Sequence, residues 1–465
     1  MTAGTVTTDT AVERAQRFDR RLLAPMMLGS ILNPINSSII AVALTPIAAA
    51  FGAPVSQTAW LISALYLTTA IGQPLVGRLV DMFGPKRLFL IGAAMTAVAG
   101  ILGTVAPNLW TLVAARVILG FGTCAGYPAA MTLIRRESER TGMASPAGVL
   151  TALAITTQTI AVIGPTLGGL LIDLGGWRST LAINVPLGVA SLIVGALFLP
   201  SRSTMDTAEK RVRFDFAGVG LFATTLLTLL LFLMNPHLRL LWLLAVCVAA
   251  GAAFAVWELR RPDPFIDVRV FSGNVPLLVT YGRAVAAATV SYTFLYGYTQ
   301  WLEDGRHLSA SVAGLVLLPL FGVGVVVSTL TGRREAVRVK LIVGGLAQLV
   351  ACALLLLLGG GSAMWLLVAI PALLAVPQGL LSLANQTALY HQAHPQLMGA
   401  SAGLLRTFIY LGAMLASSAT GLFFGQRATT GGLHGIAVFA LAASAILLIL
   451  TITDRSLRRA PAPVH

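Results

Sequence analysis

The sequence predicts an all-α integral membrane protein of two six-helix bundles with a helix pair inserted between them, fourteen transmembrane helices in total. Three observations predict it. Of 465 residues, 57% are hydrophobic and only 10% charged, with a mean hydropathy of +0.85, which leaves too little polar surface to wrap a soluble core of that size. Fourteen apolar runs reach the roughly 20 residues a helix needs to cross a bilayer. Positive charge alternates from loop to loop, as the positive-inside rule requires.

Taken in order, residues 1–21 are polar, with Arg14, Arg17, Arg20 and Arg21 ahead of the first apolar run. No small-residue cleavage site follows a short hydrophobic core, so this stretch reads as a cytoplasmic tail and not a signal peptide. Apolar segments 1 to 6 lie near 22–47, 57–79, 88–106, 109–133, 146–173 and 179–199, making a first bundle over 22–199. The charged stretch 201–215 introduces segments 7 and 8, near 216–234 and 239–257, within an inserted region 200–275. Segments 9 to 14, near 276–301, 309–331, 338–359, 362–385, 398–424 and 432–453, form a second bundle over 276–453, and 454–465 is a second cytoplasmic tail.

Charge tests this count independently, since one missed helix would exchange the two sides of every later loop. With both termini inside, 24 of the 31 Lys and Arg fall on cytoplasmic segments. Arg178, Arg239, Arg306 and Arg427 fall outside, and Arg116, Arg283 and Arg406 within the membrane. The net charge of +14 therefore sets topology and does not indicate nucleic acid, which would need a basic patch on a soluble face. Cys124, Cys247 and Cys352 all lie inside apolar runs, so no disulfide or metal framework is expected. At an offset of 255 residues, Gly77-Arg78 aligns with Gly332-Arg333, and 143–150 with 398–405. The two halves look duplicated, the parallel repeat expected when two bundles rock about a central site. Segments 7 and 8 have no counterpart.

Between segments 2 and 3 runs Gly77-Arg78-Leu79-Val80-Asp81-Met82-Phe83-Gly84-Pro85-Lys86-Arg87. Gly77 suits a close approach of helices, Gly84-Pro85 reverses the chain, Asp81 can face a helix N-terminus or an arginine, and Lys86 and Arg87 mark the cytoplasmic side. The pattern Gly77, Asp81, Gly84 and a basic pair resembles the signature of the major facilitator superfamily, which implies that family's fold and a conformational switch here. Segment 5 contains Gly164-Pro165-Thr166-Leu167-Gly168-Gly169, where Gly164 and Gly168 strip one face for tight packing and Pro165 bends the helix. With Gly176-Trp177-Arg178 and Asn184-Val185-Pro186, this is similar to the family's antiporter signature, although Ile160 stands where an upstream Gly is usual. Arg116, followed by Gly120, resembles the family's Arg-x-x-Gln-Gly element with Leu119 in the Gln place, which implies a role in proton coupling. A structural arginine held by backbone carbonyls is the alternative. Together these features look like the fourteen-helix drug:proton antiporter branch of the EmrB and QacA type.

Segment 1 departs from that branch, because Asn36 occupies the position where it often has a carboxylate, and none of the seventeen Asp and Glu falls near the middle of a segment. Asp81, Asp173 and Glu303 come nearest, at segment ends. Arg283 and Arg406 give the expected cavity a positive character, unless they snorkel to the interface. Tyr281, Tyr292 and Tyr296 recur at helical spacing on segment 9. Polar stripes at Asn33, Asn36 and Ser37, at Gln158, and at Gln378, Ser382 and Asn385 mark a pathway or act as interhelical glue.

The expected function is export of small amphipathic molecules, neutral or anionic ones favoured, by alternating access with the proton as coupling ion. The protein is expected to be a monomer in a bacterial plasma membrane. Two alternatives stand beside it: an exporter of one anion, lipid or natural product, and a membrane sensor or scaffold that has lost transport. Enzymatic chemistry is not expected. There is no phosphate-binding Gly-rich loop with Lys, no paired intramembrane carboxylates and no metal cluster, His391 and His394 standing alone, and no cofactor is implied.

Overall fold

The computed structural model describes residues 19–141, 147–200, 215–262, 264–271, 273–331, 336–393 and 398–458. The described residues are almost wholly helical, as they must be if the backbone is to satisfy its own hydrogen bonds in lipid. The principal helices of the first half are α1 (Leu23–Ile39), α2 (Val55–Phe83), α3 (Pro85–Thr104), α4 (Leu109–Thr123), α5 (Ala147–Gly175) and α6 (Asn184–Phe198). Between the halves in the chain lie α7 (Phe216–Met234) and α8 (Leu241–Arg260). The second half holds α9 (Val275–Tyr292), α10 (Ala310–Thr331), α11 (Val337–Leu355), α12 (Met364–Gln392), α13 (Met398–Phe424) and α14 (Thr430–Thr453). Short helices extend several of these: Leu44–Phe51 follows α1, Gly126–Thr141 continues α4, and a π turn, Thr293–Tyr298, leads from α9 into Thr299–Asp304.

Among the described residues, twelve helices are long and apolar enough to cross a membrane. They match the sequence segments at every position except 5 and 9. Both of those positions hold long helices too, α5 with 29 residues and α9 with its π turn and extension. Helix starts follow local chemistry: the side chains of Asn108, Asp215, Asn274 and Thr429 accept from the backbone N–H three residues on, at 2.9, 2.9, 3.2 and 3.2 Å.

The chain reverses at Gly84, whose φ of +86° is open to glycine, and Pro85 begins α3 at the first helical position. Lys86 donates to the terminal carbonyls of α6, Ala196 O at 2.8 Å and Leu199 O at 2.7 Å, and Arg78 donates to Pro264 O beyond α8. Gly77 departs from expectation, because a Cβ there would meet nothing among the described residues within 4 Å. The side chains of Asp81 and Gln158, and residues 332–335 of the repeat, lie outside what is described.

Small residues decide how the halves meet. A Cβ at Gly164 would collide with the Ser38 hydroxyl, and one at Gly168 would sit 2.7 Å from Val42 Cγ2, so that face of α5 packs on α1. Gly169 faces the other half, where a Cβ would lie 2.5 Å from Ser311 Cα, and Gly314 in turn lies against the Pro165 carbonyl. α5 thus packs along α10, and α2 along α13. α7 bridges both halves: the Met234 sulfur lies 3.6 Å from Ser63 Oγ on α2 and 3.5 Å from Ser418 Oγ on α13.

Candidate functional site

The halves are tied together toward the end distal from the Gly84-Pro85 turn. Ser63 donates to Ser417 Oγ at 3.0 Å, Ser417 to Ala59 O at 2.9 Å, and the Ser56 N–H to Gly425 O at 3.1 Å. On the other flank Ser311 donates to Asp173, and Thr166 donates to Gly314 O at 3.4 Å. Toward the basic turn, Tyr127 of the first half and Arg406 of the second face each other, the guanidinium 5.6 Å from the ring centroid, and both are exposed. These contacts tie the halves together at the distal end, and toward the basic turn Tyr127 and Arg406 reach the surface.

Between the distal closure and the basic turn, four tyrosines converge. Tyr66 of α2 has ring centroids at 5.1 Å from Tyr292, 6.4 Å from Tyr296 and 5.6 Å from Tyr410 of α13, and Tyr292 stacks on Tyr296 at 5.8 Å. Tyr296 donates to Ser37 O at 3.0 Å, which leaves Tyr66 as donor in the 2.8 Å hydroxyl pair between Tyr66 and Tyr296. Gln73 donates to Tyr410 at 3.2 Å. Helical spacing brings Tyr292 and Tyr296 to one face, and the π turn beginning at Thr293 widens the helix there, a distortion common at functional sites. Tyr66, Tyr296 and Tyr410 are buried and Tyr292 is half-buried, with the exposed Arg406 beside them.

Several residues expected in the cavity are committed elsewhere. Asn36 is a correction: it is 3% exposed and forms a reciprocal amide pair with Asn184 of α6, Asn36 Nδ2 donating at 2.6 Å and Asn184 Nδ2 at 2.9 Å. Asn33 donates to Thr69 Oγ1 at 3.4 Å and Thr123 Oγ1 at 3.2 Å, and Ser37 to Asn33 O at 3.0 Å. The segment 1 stripe is glue within the first half, where side-chain amides satisfy one another in the absence of water. Arg283 is the second correction. It is fully buried and its Nη1 lies 2.8 Å from Asp454 Oδ2, with Nη2 2.6 Å from Thr280 Oγ1, so it brings no free charge to the cavity. Tyr281 stacks on Phe408 at 4.9 Å and donates to Ser401 O at 3.0 Å, away from the cluster. Gln378 accepts from Ser291 at 2.6 Å, and buried Asn385 has its Oδ1 without a partner.

Arg116, 2% exposed, donates from Nε to Leu61 O at 3.0 Å and from Nη2 to Asn36 O at 3.3 Å. Two backbone carbonyls hold it beside the tyrosines. Sequence reasoning missed Tyr66, Gln73, Tyr127 and Tyr410 in the site. A tyrosine in mid-segment with Gln73 seven residues on was the available signal for the first two. Tyr127 and Tyr410 become neighbours of the cluster only through packing between halves.

Residues 26–417 match the Major Facilitator Superfamily. The chain belongs to that superfamily. It is 32% identical over 456 residues to the uncharacterized MFS-type transporter YwoD of Bacillus subtilis, a match covering 94% of this chain and 97% of that one. It is 27% identical over 422 residues to the tetracenomycin C resistance and export protein of Streptomyces glaucescens, covering 87% and 76%. Among solved structures, the nucleoside transporter NupG superposes with a TM-score of 0.64 at 11% identity over 94% of this chain and 100% of that chain, which shows the shared fold. This major facilitator protein is therefore a membrane transporter and not an enzyme.

Proposed function

We propose that this transporter exports small amphipathic organic molecules, neutral and anionic ones in preference to cations, by alternating access coupled to protons. The observation that carries the charge preference is Arg406: exposed between the halves beside the tyrosine cluster, it is the cation an incoming molecule meets. Arg283 is neutralised by Asp454, and Arg116 is buried against carbonyls. At an effective dielectric of about 20, a like charge roughly 6 Å away costs about 3 kcal/mol, a hundredfold in affinity. Ring faces supply apolar contact and hydroxyls supply hydrogen bonds, a combination suited to flat amphiphiles.

The arrangement of the halves supports alternating access, with this form open to the cytoplasm if the basic turn lies inside. On this reading α5 and α9 also span, giving fourteen helices as in the EmrB and QacA branch, with both termini cytoplasmic in the plasma membrane of a bacterium and the chain acting as a monomer. Gly77, Asp81, Gly84, Lys86 and Arg87 form the switch, supported by the contacts of Arg78 and Lys86 to α8 and α6. Arg116 is assigned to coupling through its place beside the tyrosines, and the packing of Gly164, Gly168 and Gly169 supports the antiporter-like role of α5. The export relative from Streptomyces glaucescens supports outward transport.

The test is uptake into everted vesicles of one anionic, one neutral and one cationic dye, with and without a pH gradient. Wild-type protein is expected to accumulate the first two against the gradient. Arg406→Gln should lower affinity for the anion by ten- to a hundredfold and improve that for the cation. Strong wild-type preference for a quaternary ammonium dye refutes the reading.

A further inference from the structure

At the distal end, Glu303 stands on Thr299–Asp304, the helix that continues α9 just past the apolar run 276–301. It is 7% exposed, and its Oε1 has no hydrogen-bond partner. The helix that carries it packs against Ile40–Val42 and Leu44–Phe51 of the first half and against α10. From Leu44–Phe51, Thr45 faces the carboxyl, and Thr45 Oγ1 is likewise buried without a partner. An unpaired buried carboxylate is costly, and a carboxyl group escapes the cost by keeping its proton.

Among the described residues no cation acts on it, Arg427 standing exposed next to Ala428, whose N–H donates to Asp304. Ile40–Val42, Leu44–Phe51 and α10 contain no ionisable side chain, and the π turn offers only Tyr296 and Tyr298. Asp304, the nearest charge, has the same sign. Arg306 turns away, donating to Gly359 O at 3.2 Å and Ser362 O at 2.8 Å. His434, on α14 behind Trp301, bonds to Leu358 O at 2.8 Å. Burial first, then Asp304, raise the Glu303 carboxyl well above the ordinary carboxylate range, with Thr45 opposing.

We propose that Glu303 is the proton-linked residue of the distal closure, gaining a proton from solvent as the two halves close at that end and returning it when they part. An O–H bond forms on the carboxylate with a proton from the distal medium, and the neutral acid can then donate to Thr45 Oγ1. The inference rests on the alternating-access reading above; because the proton is taken from and returned to the distal medium, it gates the closure and is not itself carried across. The sign follows from linkage: the closed state holds the proton more tightly, so low pH favours closure and rising pH favours opening.

The experiment uses the full chain in lipid nanodiscs with spin labels at Ala50→Cys and Gln426→Cys, exposed positions on opposite sides of the closure; Cys124, Cys247 and Cys352 are buried. Distance distributions between pH 5 and 9 are expected to show the open-to-closed ratio rising with pH, by up to about tenfold per unit for one linked proton. Glu303→Gln should stay closed with no pH dependence, and Glu303→Asp, which serves if the Gln variant fails to fold, should keep the dependence with a shifted midpoint. Asp173→Asn, at the other flank of the closure, should leave the wild-type slope intact. A wild-type distribution unaltered by pH, or a Glu303→Gln slope equal to that of wild type, overturns the proposal. Dye counterflow by the wild-type protein in proteoliposomes separates the two readings. Counterflow with pH-independent opening leaves transport standing and removes Glu303, whereas pH-dependent opening without counterflow of any dye does the reverse.

Discussion

Replacing Asp454 with Asn should destabilise the second half severely, because it strands a charge that has no route to water. Arg283 is fully buried, and Asp454 is 4% exposed in its side chain, with their atoms 2.8 Å apart. The remaining contact of Arg283 is to Thr280, and its Nε already has no partner. Removing one member of a buried pair costs about 3–5 kcal/mol, a fall of roughly a hundredfold or more in the folded-to-unfolded ratio. Removing both in favour of apolar side chains of similar volume is often neutral. Arg283→Met and Asp454→Leu should each unfold at lower temperature in detergent, and the double variant should recover most of the loss. Dye transport by the double variant should remain. A double variant no more stable than the worse single one, or an Arg283→Met protein of normal stability that selectively loses the anionic dye, would refute this and return Arg283 to the cavity.

Three further outcomes are expected. Asn36→Asp should destabilise the first half by about 1–3 kcal/mol instead of attracting cations, since it removes the donor to Asn184 Oδ1 inside a buried pair; thermal unfolding and a cation-binding titration check both parts. Asp81→Asn should slow dye accumulation while leaving dye affinity nearly unchanged, measured by equilibrium binding beside vesicle transport, and a tenfold weaker affinity with normal saturated transport would contradict it. Glu137 accepts from both Arg140 and the Asp19 N–H, so its carboxyl lies below the ordinary range, chiefly through the Arg140 hydrogen bonds. A depressed carboxylate stabilises above its unfolded value and loses that contribution as pH falls through the folded one. Protection of the 126–141 helix in hydrogen exchange should therefore weaken only in acid, below about pH 4.5, and Glu137→Gln should flatten the trend.

By itself the sequence determined what burial and local backbone chemistry can determine. Apolar length places helices, and the chain reversal at Gly84-Pro85 and the small face of Gly164 and Gly168 follow from side-chain size and backbone freedom. These are properties of residues near each other in the chain. Tertiary structure decided which polar group meets which. Asn36 and Asn184 stand 148 positions apart, and Arg283 and Asp454 171, so no local pattern tells a cavity-lining polar residue from one satisfied across helices. In a bilayer that distinction governs everything, because a polar side chain without water must find protein, and the partner is chosen by how helices pack. The same packing drew Tyr66, Tyr292, Tyr296 and Tyr410 into one cluster, left Arg406 exposed beside it, and turned Glu303, which the sequence placed at a helix end, into a buried acid.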